Sequence, residues 1–359
     1  MESGGIAGGA VNRAAVGYAL ASAALFGAST PLAKLLLGEL PPLLLAALLY
    51  LGSGIGLALW IVLRRLAGPA QRIAPIDRGD WPWLAAAILA GGVAGPALLM
   101  LGLARSDASA ASLLLNLEAA LTAGLAWVVF RENVDRRIFA GMLAIVGGGV
   151  LLSLSQAPRT GGVAGPLLVA AACLAWAIDN NLTRKVSGGD AATIACLKGL
   201  VAGSVNLAIA FSAGAGAPPA GVLAAAGALG LLGYGVSLAL FVAALRELGT
   251  ARSAAYFSVA PFFGAALSLW LLGERPDAVF WAAAALMAVG VWLHVNERHE
   301  HEHVHEATQH EHPHMHDAHH RHTHDFDWDG REPHAHPHLH MPLVHSHPHY
   351  PDLHHRHEH

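Results

Sequence analysis

Long apolar runs, each near 20 residues and separated by short polar punctuation, fill residues 14–296. A helix rises about 1.5 Å per residue and a bilayer's hydrocarbon core is about 30 Å thick, so runs of this length predict membrane-crossing helices. Ten are predicted, near 14–37, 41–63, 81–104, 108–130, 137–155, 164–186, 190–212, 221–245, 252–273 and 278–296. Pro41, Pro82, Pro166 and Pro219 fall near span starts, where a missing N–H is harmless. After residue 296 the apolar pattern stops and a polar tail begins.

The pattern also repeats. Laid without gaps over residues 251–297, residues 109–155 place Leu125 on Leu267, Glu132 on Glu274 and Gly148 on Gly290. Five spans per copy is an odd number, so the second copy enters the membrane inverted. Inverted repeats of this kind build carriers that alternate access around a midplane site. Lys and Arg set the direction. With a cytoplasmic N-terminus, the inner segments before the tail hold 12 of these residues, and the outer loops hold only Arg105, Arg159 and Arg275. Both termini are therefore expected in the cytoplasm of a bacterial-type inner membrane. The expected organisation is a cytoplasmic N-terminus (1–13), a first five-helix repeat (14–155), a connecting loop (156–163), a second repeat (164–296) and a tail (297–359).

Composition narrows the class. The chain is 54% hydrophobic and 13% charged, against about 25% charged for a soluble globule. A net charge of −4 with His neutral gives no reason to expect nucleic acid. Cys173 and Cys196 both lie in apolar spans and make no disulfide framework. The first span reads as a membrane helix, with no cleavable leader evident. No P-loop, dinucleotide glycine fingerprint or HExxH stands in the sequence, so neither an ATPase nor any other enzyme is expected.

Polar groups at bilayer depth are costly and usually face protein or water. Glu118, near the middle of the fourth span, reads either as a proton acceptor or cation contact or as a structural carboxylate. Asp179 and Lys198 lie near one depth on sequential antiparallel spans, which predicts an ion pair, either a packing staple or a proton-sensitive latch. Lys34 sits near the outer end of the first span and can snorkel to the interface or touch cargo. Asn116 and Asn180 suit a polar or zwitterionic cargo, but Asn116 and Glu118 lie about 200° apart on a helix and cannot both face one cavity. Trp176, Tyr234 and Tyr256 are candidate aromatic lining, with packing as the bland reading of each. Gly95 and Pro96 in the third span answer Gly235 in the eighth, and Pro261 interrupts the ninth. Gly and Pro breaks at matching places in two halves point to a hinge or binding region.

The stretches "ALFGASTPLAKLLLGELPP", "NLEAALTAGLAWVVFRE" and "SVAPFFGAALSLWLLGER" resemble the EamA family of the drug/metabolite transporter superfamily over residues 14–296. The family pattern is a Glu-Pro pair mid-span, followed by a closing Gly-Glu. Each copy keeps half of the pair, Glu118-Ala119 in one and Ala260-Pro261 in the other; the closing elements are Arg131-Glu132 and Gly273-Glu274. The resemblance implies a ten-helix secondary transporter with a cavity between its halves, and it leaves the cargo open.

All 24 histidines lie from His294 onward. The tail alternates His with other residues, lacks apolar periodicity and is expected to be disordered. Its candidate metal ligands are His301, His303, His305, His312, His314, His316, His319, His320, His322, His336, His338, His340, His345, His347 and His349. Neutral imidazole suits zinc, nickel or cobalt. No cofactor is required.

These readings give an all-α integral membrane protein, ten helices in two inverted repeats with a His-rich tail. The leading function is secondary transport, as an exporter, of a small polar or amphipathic metabolite, with a regulatory or buffering tail. The alternatives are divalent-metal efflux and a non-transporting metal-sensing or metal-storing protein. Expected partners are the cargo, the lipid bilayer and divalent metal, with a homodimer left open.

Overall fold

The computed structural model describes residues 13–67, 78–130, 135–160, 162–183, 186, 191–248 and 250–295, and four tail segments at 299–305, 308–314, 334–340 and 343–349. It divides into two compact units, residues 1–296 and 297–359.

The first unit is helical. In chain order its helices are α1 (Arg13–Leu36), α2 (Pro42–Ala67), α3 (Trp81–Ala87), α4 (Gly95–Leu103), α5 (Ala108–Leu114), α6 (Leu117–Phe130) and α7 (Arg136–Thr160). Then come α8 (Ala164–Thr183), α9 (Ala191–Ser212), α10 (Ala220–Gly230), α11 (Ser237–Leu248), α12 (Thr250–Phe257), α13 (Ala260–Leu271) and α14 (Ala278–Val295). Among the described residues, nine helical stretches are long and apolar enough to cross a membrane, where sequence predicts ten. The remaining apolar stretch, Ala278–His294, is shorter.

Several spans are built from two pieces. A widened π-turn, Ile88–Ala94, joins α3 to α4, and another, Leu231–Val236, joins α10 to α11. Turns at 115–116 and 258–259 divide α5 from α6 and α12 from α13. All four breaks recur at the register that lays residue 109 on residue 251, to within about one or two residues. Asp135 and Asp277 also correspond; each lies just before a helix and accepts a bond from a backbone N–H, that of Arg136 at 2.6 Å and that of Phe280 at 2.8 Å.

Packing relies on small residues and interleaves the two halves. α1 lies against α11, α12 and α13, α2 against α9 and α10, α4 and α6 against α8, and α7 against α14. Without a hydrophobic drive between helices in lipid, close backbone contact has to supply the attraction. At Gly264 an added Cβ would stand 2.6 Å from the Gly27 carbonyl oxygen, so α1 and α13 touch backbone to backbone. Ser22 and Ser237, both buried, fasten α1 to α11. Ser22 Oγ donates to the Ser237 carbonyl at 2.7 Å, and Ser237 Oγ returns a bond to the Ser22 carbonyl at 2.9 Å. Large apolar side chains point outward instead, among them Trp270, Trp292, Leu154 and Val128. An apolar exterior over a core rich in Ala, Gly and Ser fits a hydrocarbon solvent.

In the second unit the described segments are four strands, β1 (His299–His305), β2 (Thr308–His314), β3 (His334–His340) and β4 (Leu343–His349). β1 pairs antiparallel with β4, and β2 with β3. The register sets His301 opposite His347 and His303 opposite His345, and in the other ladder His310 opposite His338 and His312 opposite His336. Strict two-residue alternation is itself a strand pattern.

Candidate functional site

The π-turn of the third span organises the polar residues of the interior. A π-turn disturbs the regular i to i−4 ladder, and buried carbonyls need donors. The Gly91 carbonyl takes two, Tyr50 Oη from α2 at 3.0 Å and Trp176 Nε1 from α8 at 2.8 Å. The Gly92 and Val93 carbonyls share Asn206 Nδ2 from α9, each at 3.3 Å. Gly91 also leaves room for a charge, because a Cβ there would overlap the Asp179 carboxylate. Gly95 does the same for Trp176, whose Nε1 would lie 2.6 Å from an added Cβ.

Asp179 is 6% exposed. Lys198 Nζ donates to Asp179 Oδ1 at 2.5 Å, which realises the pairing expected from equal depth. Thr183 completes a triangle. Its hydroxyl donates to Asp179 Oδ1 at 2.8 Å and accepts from Lys198 Nζ at 3.1 Å. A buried pair is tolerable when further hydrogen bonds satisfy its remaining atoms, and Thr183 supplies one.

Glu118 occupies the first turn of α6, directly after the 115–116 break. The break decides between the two polar residues there. Asn116 turns back on its own helix, donating to the Leu113 carbonyl at 2.9 Å, and is buried. Glu118 instead faces α8, where Asn180 Nδ2 donates to Glu118 Oε1 at 2.9 Å. Asn180 also reaches Thr122 Oγ1 at 3.5 Å, and Asn181 Nδ2 reaches the Thr122 carbonyl at 3.2 Å. Asn180 is exposed and Glu118 half-buried.

A run of aromatic rings joins this region to the other half. Trp176 lies one helical turn before Asn180 and touches Tyr50 through Nε1 and Oη at 3.4 Å. Tyr50 and Tyr234 have ring centres 5.9 Å apart, Tyr234 and Phe26 5.7 Å, and Phe26 and Phe257 5.4 Å. Tyr256, the sequence candidate in α12, is half-buried and makes no ring contact among the described residues; Phe257 beside it takes that place. Gly235 lies in the second π-turn and Pro261 in the first turn of α13, while Pro96 opens α4.

Lys34 is half-buried near the end of α1. Its ammonium caps the end of α4, donating to the carbonyls of Leu103 at 2.6 Å and Ser106 at 2.8 Å. At the same end of the bundle Glu274 accepts two backbone bonds at the start of α5, from Ala108 N at 2.7 Å and Ser109 N at 2.9 Å. Gly273, at φ +65°, makes the turn that sends Glu274 back. Arg131 and Glu132, the other closing element, lie outside the described residues. So do His316, His319, His320 and His322, and the remaining tail histidines lie outside the described side chains. Among the described residues no group of three His, Cys, Asp or Glu is placed to hold a metal.

The sequence profile of the EamA-like transporter family matches this chain twice, over residues 13–154 and 163–296. The chain belongs to the EamA-like transporter family. An uncharacterized transporter of Methanothermobacter thermautotrophicus is 30% identical over 281 residues, spanning 75% of this chain and 82% of that protein. A probable 4-amino-4-deoxy-L-arabinose-phosphoundecaprenol flippase subunit ArnE of Pseudomonas paraeruginosa is 40% identical over 116 residues, 31% of this chain and 93% of that protein. One solved crystal structure aligns with a TM-score of 0.58 and 19% identity, covering 78% of this chain and 95% of that one, and supports the fold alone. Family members are transporters rather than enzymes, and this EamA-like chain is a multi-pass membrane transporter.

Four residues of this EamA-like interior escaped the sequence reading. Tyr50, Thr122, Thr183 and Asn206 are neutral and sit in apolar runs, where nothing in spacing marks them. Asn206, fully buried, was open to the same suspicion as Asn116 and Asn180.

Proposed function

We propose that the protein is a secondary carrier, working as an exporter, of a small polar or amphipathic molecule. Its ten spans form two inverted five-helix repeats, with both termini on the cytoplasmic face of the inner membrane. The observation that supports this reading best is the recurrence of π-turns and mid-span breaks at one register in both halves, beside the polar groups Glu118, Asn180, Asp179 and Lys198. Broken helices at matching places in repeated halves are where carriers place their cargo. The double profile match supports the repeat. Relatives named as a transporter and as a flippase subunit agree with cargo movement.

The tail is proposed to gather divalent metal for regulation or buffering, apart from the cargo path. His-by-His registers in both ladders favour this. Solute flux in proteoliposomes tests the carrier reading, and its absence for every class of small solute overturns it. Flux that survives deletion of residues 299–359 places the tail outside the cargo route; flux of nickel, cobalt or zinc that fails with the deletion would favour metal efflux. Reporter fusions near Arg136 and Arg275 should lie on opposite faces of the membrane, and the same face would refute the inversion.

A further inference from the structure

Charge bookkeeping inside the bundle is unequal. Among the described residues Arg13, Arg64, Arg65, Arg136, Arg137 and Arg252 stand at helix ends, and the two described lysines, Lys34 and Lys198, are both committed. Lys198 holds Asp179 and Thr183, and Lys34 holds the Leu103 and Ser106 carbonyls. His294 lies elsewhere, in the seam of α7 and α14, with Nδ1 3.3 Å from the Gly290 carbonyl and its ring against Gly141. Glu118 is the carboxylate left over. Oε1 accepts from the Asn180 amide, and among the described residues nothing donates to Oε2. A polar pair of this kind turned to lipid would be costly, so the partial exposure of Glu118 and the exposure of Asn180 belong to a water-filled space. The apolar wall nearby is aromatic. Trp176, on the same face of α8 as Asn180, begins the series of rings through Tyr50 and Tyr234 to Phe26.

We infer that Glu118 and this aromatic wall select a cargo that bears an ammonium group on an apolar, ring-bearing body. Among the described residues an anionic cargo would find no free cation beside Asn180 and would meet the Glu118 carboxylate. A cation meets an acceptor oxygen with no competing donor, and aromatic faces attract it further. The inference rests on the carrier reading and names the cargo class for the same site.

Full-length protein in detergent, titrated calorimetrically with phenethylammonium, 2-phenylethanol and 3-phenylpropanoate, tests it without any variant. Phenethylammonium should bind at least about tenfold more tightly than either isostere, as expected for one hydrogen bond to a charged group. Glu118→Gln should weaken it roughly tenfold or more, and Glu118→Asp should restore part of the loss. Trp176→Leu should weaken phenethylammonium by about threefold or more while leaving methylammonium unchanged, because only the ring-bearing probe uses the wall. Equal binding of the three isosteres, preference for the carboxylate, or no binding of the ammonium overturns the inference. Proteoliposome flux separates it from the carrier reading. Carriage of the alcohol or carboxylate without the ammonium defeats the cargo class alone, and ammonium binding with no flux of any solute defeats the carrier alone.

Discussion

Replacing Asp179 by Asn would leave the Lys198 ammonium at bilayer depth without a counter-charge, facing only neutral acceptors, the new amide oxygen and the Thr183 hydroxyl at 3.1 Å. The Lys198 side chain is 18% exposed and that of Asp179 9%, so solvent can relieve little of the lost pairing. Breaking one side of a buried pair costs about 3–5 kcal/mol, and an unpaired Lys in mid-membrane costs about 2.5–3.5 kcal/mol on insertion scales. Because the amide oxygen and Thr183 remain as neutral acceptors, the lower end is expected, about 3 kcal/mol. At an unfolding entropy of about 2.1 cal/mol/K per residue over the helical unit, Tm should fall by roughly 5 °C. The protein has its own reporters, since Cys173 and Cys196 are both buried and a thiol-reactive dye reaches them only as the bundle opens. The double variant Asp179→Asn, Lys198→Met removes the stranded charge and should recover most of the loss. A single variant as stable as the parent, or a double variant no better than the single, would refute the account of this pair as mutually compensating.

Other outcomes follow from single contacts. Glu274→Ala removes the carboxylate over the first N–H groups of α5 and should cost about 1–2 kcal/mol in the same dye assay; an unchanged Tm would deny it a capping role. Gly52→Ala forces a methyl into the Gly227 backbone and should cost about 1–3 kcal/mol. Gly227→Ala meets nothing within 4 Å and should be neutral or gain up to about 1 kcal/mol, and the reverse order would contradict this α2–α10 packing. Among the described residues no side chain donates to the carbonyls of residues 231–236, whereas three side chains tie the turn at 88–94. Amide hydrogen exchange should therefore be faster across 231–236, and equal protection would remove the asymmetry.

The apolar runs set where the chain becomes helical. Predicted span edges such as 108–130, 191–212 against an expected 190–212, and 278–295 against 278–296 lie close to the described helices. Bilayer thickness is a length, and length is a one-dimensional property that a sequence displays directly. The repeat was legible for the same reason, as a fixed offset between two similar strings. Sequence also gave equal depths for Asp179 and Lys198, because sequential antiparallel helices share one ruler. What it could not give was azimuth. Whether Asn116 or Glu118 faces α8 depends on the turn at 115–116, which rotates α6 relative to α5. Lys34 acquired its partners only when the end of α4 arrived beside it with unsatisfied carbonyls. Tyr50, Thr183 and Asn206 acquired roles only once the π-turn exposed oxygens in need of donors. Helix identity follows from neighbours along the chain. The partner of a buried polar atom follows from rotation and crossing of helices, which only the packed bundle fixes.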